Sequence, residues 1–163
     1  MIEDQGASPN ELMLAFCRGD QEEELEKLLE EGQCDVSYRD GAGNTAVHYA
    51  AKECSIGCLE TLVNVDDIDL DIQNTLEGQT ALHMAVKNAD ENPDMAFAMV
   101  ELLIAGGANP RIADRNKLTP IMLVNYKHKD ILKILNEASV EIDDSEIAND
   151  DEVEDDGSAS ESD

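Results

Sequence analysis

His48 and His83 are the residues of this sequence that first invite a chemical reading. Each follows a threonine by three positions, in Gly43-Asn44-Thr45-Ala46-Val47-His48-Tyr49-Ala50-Ala51 and in Gly78-Gln79-Thr80-Ala81-Leu82-His83-Met84-Ala85-Val86. Two imidazoles could open a metal site, with Cys54 and Cys58 as sulfur ligands. A closed zinc site needs four ligands at fitting spacing, and His48 is the only histidine near the two cysteines in sequence. The repetition accounts for both histidines more simply. They occupy one place in successive copies of a unit, which points to a structural role. Cys54 and Cys58 then read as buried or half-buried thiols. No metal and no cofactor is expected.

Three further patterns fail on their details. Asp67-x-Asp69-x-Asp71 begins like a calcium loop, but Ile72 stands at the sixth position, where Gly is needed, and Gly78 at the twelfth, where a bidentate acid is needed. The strict alternation of these aspartates with Ile68, Leu70 and Ile72 predicts an extended strand with one acidic face. Arg18-Gly19-Asp20 spells an integrin tripeptide, but it falls at a predicted turn between helices. Gly41 to Thr45 is too short for a phosphate loop and lacks its lysine. No Ser/His/Asp or Cys/His set recurs with positional logic, so no enzyme is expected.

The elements that carry these residues repeat. Thr45 to Thr80 is a step of 35 residues and Thr80 to Thr119 one of 39, the third copy being Leu118-Thr119-Pro120-Ile121-Met122-Leu123-Val124. Steps near 33 residues mark a stack of helix–turn–helix units. Gly41-Ala42-Gly43 supplies turn chemistry. Thr45 caps a helix whose small apolar face is Val47, Ala50 and Ala51. Cys58-Leu59 and Leu62-Val63 mark a second helix. In the next unit Thr80 opens a helix, and Ala89 to Asp94 is a polar insertion before a helix rich in Met, Val, Leu and Ile. Gly106-Gly107 ends that helix, with Pro110 beyond. Ser8-Pro9-Asn10-Glu11 fits a capping box at the start of a degenerate first unit. The two end units depart from the pattern, as capping units do. The boundaries are 8–38 for the N-terminal cap, 39–74 and 75–113 for the fuller repeats, and 114–136 for the C-terminal cap.

Thr80-Ala81-Leu82-His83-Met84-Ala85 resembles the Thr-Pro-Leu-His-x-Ala core of the ankyrin repeat. Thr45-Ala46-Val47-His48-Tyr49-Ala50 is similar, and Gly107-Ala108-Asn109-Pro110 resembles the family's Gly-Ala-Asp/Asn element. The resemblance covers roughly residues 8–136. It implies an all-α solenoid with hairpin loops, and structural roles for Thr45, His48, Thr80 and His83, with Thr119 in the same role but Met122 in the histidine's place. Cys54-Ser55 replaces the usual Gly-His between helices, and Lys117 stands where Gly is expected. The resemblance also implies that partners bind at hairpin tips and on the exposed side of each first helix. Those positions are Arg39, Ala42, Asn44, Lys52 and Glu53, then Leu76, Glu77, Gln79, Lys87 and Asn88, then Arg115, Asn116, Tyr126 and Lys127. Leu76, Tyr49, Met84 and Tyr126 are the expected anchors.

Charge sharpens the partner. The 163 residues carry a formal net charge of −27, and 13 of the 38 acids lie from Glu137 onward with no Lys or Arg among them. Such composition predicts a disordered tail over 137–163. It disfavours nucleic acid as a direct ligand and favours a protein with a basic region. Ser158 and Ser160 each have an acid three residues on, the pattern of an acidophilic kinase site. The chain also resembles small fungal ankyrin proteins with acidic tails, one type of which escorts a basic ribosomal protein. That resemblance implies an escort for a basic client such as a ribosomal protein or histone; the alternative is a regulatory or assembly subunit of an enzyme or proteolytic complex. Met1 to Gly6 lacks the apolar run of a secretory signal, and no apolar run approaches a membrane span. The expectation is a monomer in cytoplasm or nucleus, with no membrane contact.

Overall fold

The computed structural model describes residues 7–150. Seven α-helices and one 3-10 turn follow each other in pairs: α1 (Pro9–Arg18) with α2 (Glu22–Glu31), α3 (Ala46–Lys52) with α4 (Ile56–Val63), α5 (Ala81–Val86) with α6 (Pro93–Ala105), and the 3-10 turn (Pro120–Leu123) with α7 (Lys129–Asp150). The first members form one layer, α1 against α3, α3 against α5, and α5 against the 3-10 turn. The second members form the other, α2, α4, α6 and α7 in order.

Small residues let the first layer close up. Ala46, Ala50, Ala51, Ala81 and Ala85 are all buried there, and Met13, Leu25, Leu59, Leu62, Leu82, Met99, Leu103, Ile131 and Leu135 fill the space between layers. Each such leucine contributes about 1.5–3 kcal/mol by leaving water. Ser8 caps α1 in a full capping box with Glu11, as its sequence predicts. Gly107, at a φ of 101°, ends α6, with the Ala108 N–H reaching the Leu103 carbonyl at 2.9 Å.

Three expectations need correction. Residues 68–74 form no strand. The alternation arises because Leu70 is buried while Asp69 folds back, its Oδ1 accepting the Asp71 N–H at 2.9 Å, and Asp71 Oδ1 accepts the Asn109 N–H of the next unit at 2.8 Å. The aspartates are turn-makers rather than a ladder face. α7 also continues as helix through 137–150, a stretch expected to be disordered, and the remainder of the expected tail, residues 151–163 with Ser158 and Ser160, lies outside the described part. Thr119 stands at the N-cap of the 3-10 turn but makes no side-chain capping bond. The Met122 N–H goes instead to the Thr119 carbonyl at 3.0 Å, and the Met122 side chain offers no acceptor for the Thr119 N–H, so neither half of a capping box forms.

Candidate protein-binding surface

Each hairpin loop is built on one acid or amide at its first position. Asp40 Oδ1 accepts the N–H groups of Ala42 and Asn44, both at 3.0 Å, and Asp114 Oδ1 those of Asn116 and Leu118, at 2.9 and 3.0 Å. Asn74 Oδ1 accepts those of Glu77 and Gln79. Backbone closure follows, Asp40 N–H to Asn44, Asn74 N–H to Gln79 and Asp114 N–H to Leu118. The left-handed corner falls on Gly43, Gly78 and Lys117, at φ of 80°, 69° and 67°. Burial alone would raise the Asp114 carboxyl, but the bonds it accepts from the Leu118 N–H, the Gln79 side chain and the Asn116 N–H outweigh that and hold it below the usual carboxylate range.

The middle hairpin holds one residue more between its first residue and the threonine than the other two, as Asn74 to Thr80 compared with Asp40 to Thr45 shows. This is part of the excess in the 35-residue step. It lifts Leu76 at the tip to 70 % exposure.

Threonine and histidine fasten each hairpin to the next. His48 Nδ1 accepts the Thr45 N–H at 3.1 Å, and Nε2 meets the Gln79 carbonyl of the following unit at 2.8 Å. His83 repeats this with Thr80 at 3.1 Å and Leu118 at 2.9 Å. An Nδ1 that accepts and an Nε2 that faces a carbonyl define the neutral Nε2–H form. Burial holds both imidazoles below their ordinary pKa. Each ring nitrogen already has a partner, so neither ring offers a metal a lone pair. Cys58 packs with Cys17 instead of pairing with Cys54; its hydrogen bond to Cys17, with burial, pushes the Cys17 thiol far up, away from reactive thiolate.

The proposed contact residues divide. Arg39, Glu77, Arg115 and Asn116 are exposed on hairpins, Lys52 at the last position of α3, and Glu53, Lys87 and Lys127 after the first elements of their units. Tyr126 is 83 % exposed. Others hold the stack together. Gln79 is only 6 % exposed: its carbonyl serves His48, its Nε2 donates to Asp114 Oδ2 at 3.2 Å, and its Oε1 accepts from Lys87 Nζ at 3.0 Å. Asn88 Nδ2 donates to the Ala51 carbonyl at 2.9 Å across the repeat boundary. Asn44 accepts from the Asn74 side chain, and Ala42 from the Thr75 N–H. Met84, at 6 % exposure, is core and not an anchor. Tyr49 is half-buried, donating its hydroxyl to Asp40 and lying under the Arg18 guanidinium at 5.0 Å.

Sequence reasoning missed three features. Met122, where the motif would place histidine, is 60 % exposed, and among the described residues no further hairpin packs on it. His128 Nε2 lies 2.7 Å from Asp90 Oδ1, so the insertion between α5 and α6 reaches forward to the last unit. On the outer layer an open groove of about 590 Å³ is lined by Ile56, Ala98, Leu102, Ile104 and Ile134, with Glu60 and Glu101 beside them. Only the short side chains of Ala98 and Ala105 on α6 signalled such a recess.

A model of ankyrin repeats, in three copies, matches residues 12–97. The chain belongs to the ankyrin-repeat family. An ankyrin repeat-containing protein of Saccharomyces cerevisiae is 32 % identical over 74 % of this chain and 65 % of its own length. Human ankyrin repeat and SOCS box protein 3 is 33 % identical over 60 % of the chain and 18 % of its own length. Mouse ankyrin repeat domain-containing protein 53 is 30 % identical over 53 % and 17 %. The chain thus spans under two thirds of each of these relatives. Ankyrin repeats are protein-interaction modules. Among the described residues no helix is long and apolar enough to cross a membrane.

Proposed function

We propose that this ankyrin protein is a non-enzymatic binding module that escorts a basic protein client, such as a ribosomal protein or histone, as a monomer in the cytoplasm or nucleus. The observation that carries this reading is the outer-layer groove, where an apolar floor lies beside Glu60 and Glu101. Next to it, Glu22, Glu26 and Glu60 line a second cleft of about 390 Å³ between α2 and α4. Apolar side chains of a client fit the floor, and its lysines or arginines meet the glutamates. The hairpin residues Arg39, Leu76, Glu77, Arg115 and Asn116 supply a second contact on the opposite layer. Electrostatic attraction of this kind raises association rate and selects the partner's sign.

The test is capture of purified core histones by the full chain at rising salt, with Glu60→Lys/Glu101→Lys beside it. Roughly tenfold weaker capture by the double variant, and loss of capture at high salt, are expected. Undiminished capture by the variant sinks the groove. Capture of no basic protein, together with a salt-indifferent partner that depends on Leu76 and Arg115, turns the reading to a regulatory subunit.

A further inference from the structure

The apolar recess on the outer layer and the acidic cleft beside it are continuous, because Glu60 lines both. They make one trough across four helices, since α2 packs on α4, α4 on α6 and α6 on α7. The register of the helices aligns it. Glu26 and Glu60 each hold the fifth position of their helix. Glu22 leans onto α4, where a Cβ on Gly57 would come within 2.5 Å of its Oε1. On α6, Ala98, Glu101, Leu102 and Ala105 share one face at three- and four-residue spacing.

The chemistry changes from end to end. The α2 end is acidic, at Glu22, Glu26 and Glu60, and the α7 end is apolar, at Leu102 and Ile134. These three glutamates and Glu101 are exposed and, among the described residues, none is in an ion pair. The units at the two ends follow the same gradient. Residues 8–38 hold nine acids and two bases, and residues 114–136 two acids and five bases.

Unpaired glutamates call for lysine or arginine at the α2 end. Hydrogen bonding decides the form of the occupant at the other end. The recess is walled by helices whose backbone groups bond within themselves, so it offers no strand edge. An extended segment laid there would turn unpaired N–H and C=O groups onto hydrocarbon, whereas a helix satisfies its own. Three helix-to-helix steps of about 9 Å make a trough about 27 Å long, the length of about 18 residues of helix.

We propose that the client enters this trough as one amphipathic helix of about 18 residues, its basic turns over Glu22, Glu26 and Glu60 and its apolar turns in the recess at Leu102 and Ile134. Helix and direction both rest on the outer groove being the client's site.

The probe is a synthetic peptide of about 18 residues, with lysines in its first two turns and leucines at three- and four-residue spacing in the rest. Its control carries two prolines in the leucine half, which keep the charge and forbid the helix. By fluorescence anisotropy with the full chain, the helical peptide is expected to bind at least about tenfold more tightly than the control. Glu22→Lys/Glu26→Lys should weaken it about fivefold. Ala105→Phe, at an exposed position on the rim, should fill the recess and remove most of the binding. Circular dichroism checks the fold of both variants. In NMR spectra of the complex, a nitroxide on the lysine end should broaden the amides of Glu22 to Glu26, and one on the leucine end those of Lys133 to Leu135. Equal binding of the two peptides, or undiminished binding by Ala105→Phe, overturns the helix, and exchanged broadening overturns the direction. Histone capture that depends on Glu60 and Glu101, beside equal binding of the two peptides, strikes the helix and leaves the groove. Capture that ignores Glu60 and Glu101 strikes both.

Discussion

The two central repeats and the last unit begin from the same template and end differently. In the central pair a buried histidine spends one nitrogen on its own threonine and the other on the next hairpin. In the last unit methionine replaces it, the threonine caps nothing, and the first helix shrinks to a 3-10 turn. The difference teaches that the histidine does two jobs, closing its own helix start and welding the following repeat. In the last unit, with no further hairpin packed on it among the described residues, the second job is dropped and the first is lost with it.

Removing the weld should have the largest effect. His83→Ala leaves the Thr80 N–H buried without its partner, takes from the Leu118 carbonyl one of its two donors and opens a cavity, and should cost about 3 kcal/mol in urea unfolding. Met122→Ala should stay within about 0.5 kcal/mol, as an exposed change does. Equal costs would dissolve the contrast.

The corner residue sharpens it from the opposite direction. A Cβ on Gly43 would lie 2.3 Å from Thr75 Oγ1 and 2.4 Å from the Thr75 nitrogen, in a left-handed conformation. Gly43→Ala should therefore lose about 2 kcal/mol or more. Lys117 holds the same conformation with a side chain, so Lys117→Gly should gain about 0.5–1 kcal/mol. Thermal melts of the two variants should move in opposite directions.

Acidity should act on the welds next. His48 and His83 are neutral in the fold with pKa values depressed below the ordinary 6.5. The unfolded chain binds protons first, so their contribution is complete above 6.5 and is lost as pH falls through the folded values. Stability should be flat from pH 8 to 7 and decline below about 6.5. His48→Gln/His83→Gln should flatten that decline.

The smallest effect belongs to the joint between the insertion and the last unit. Asp90→Asn should speed amide exchange over Ile131 to Leu135 and leave Ala46 to Ala51 unaffected, because Asp90 reaches only His128 and Lys127.

The fold was legible because the constraints that make it are local. Thr-x-x-His, the capping box at Ser8 and the glycine pair after α6 each act within a few residues, and each appears where its pattern predicts it. What escaped depends on neighbours distant in sequence. Asp69 and Asp71 alternate like strand residues but serve turns, one of them tied to Asn109. Gln79 occupies a hairpin position and is nonetheless buried, because His48, Lys87 and Asp114 converge on it. The expected contact positions divide by exposure for that reason: Leu76, Asn116 and Tyr126 are exposed, whereas Ala42, Asn44, Gln79 and Asn88 are bonded to neighbouring repeats and Arg39 donates to the Gln73 carbonyl at 2.7 Å. The outer groove had almost no signal, since a recess is a property of three helices side by side.

Adjacent hairpins share a single direct backbone bond, Thr75 N–H to Ala42 and Arg115 N–H to Glu77. Under mechanical load such joints act in series. Tension applied along the stack would fall on one boundary at a time, on its backbone bond, its histidine weld and the side-chain bridges beside them, so the molecule would yield by stepwise peeling and not by a single collective rupture. A solenoid built in this way could be opened from one end while the remainder stays folded.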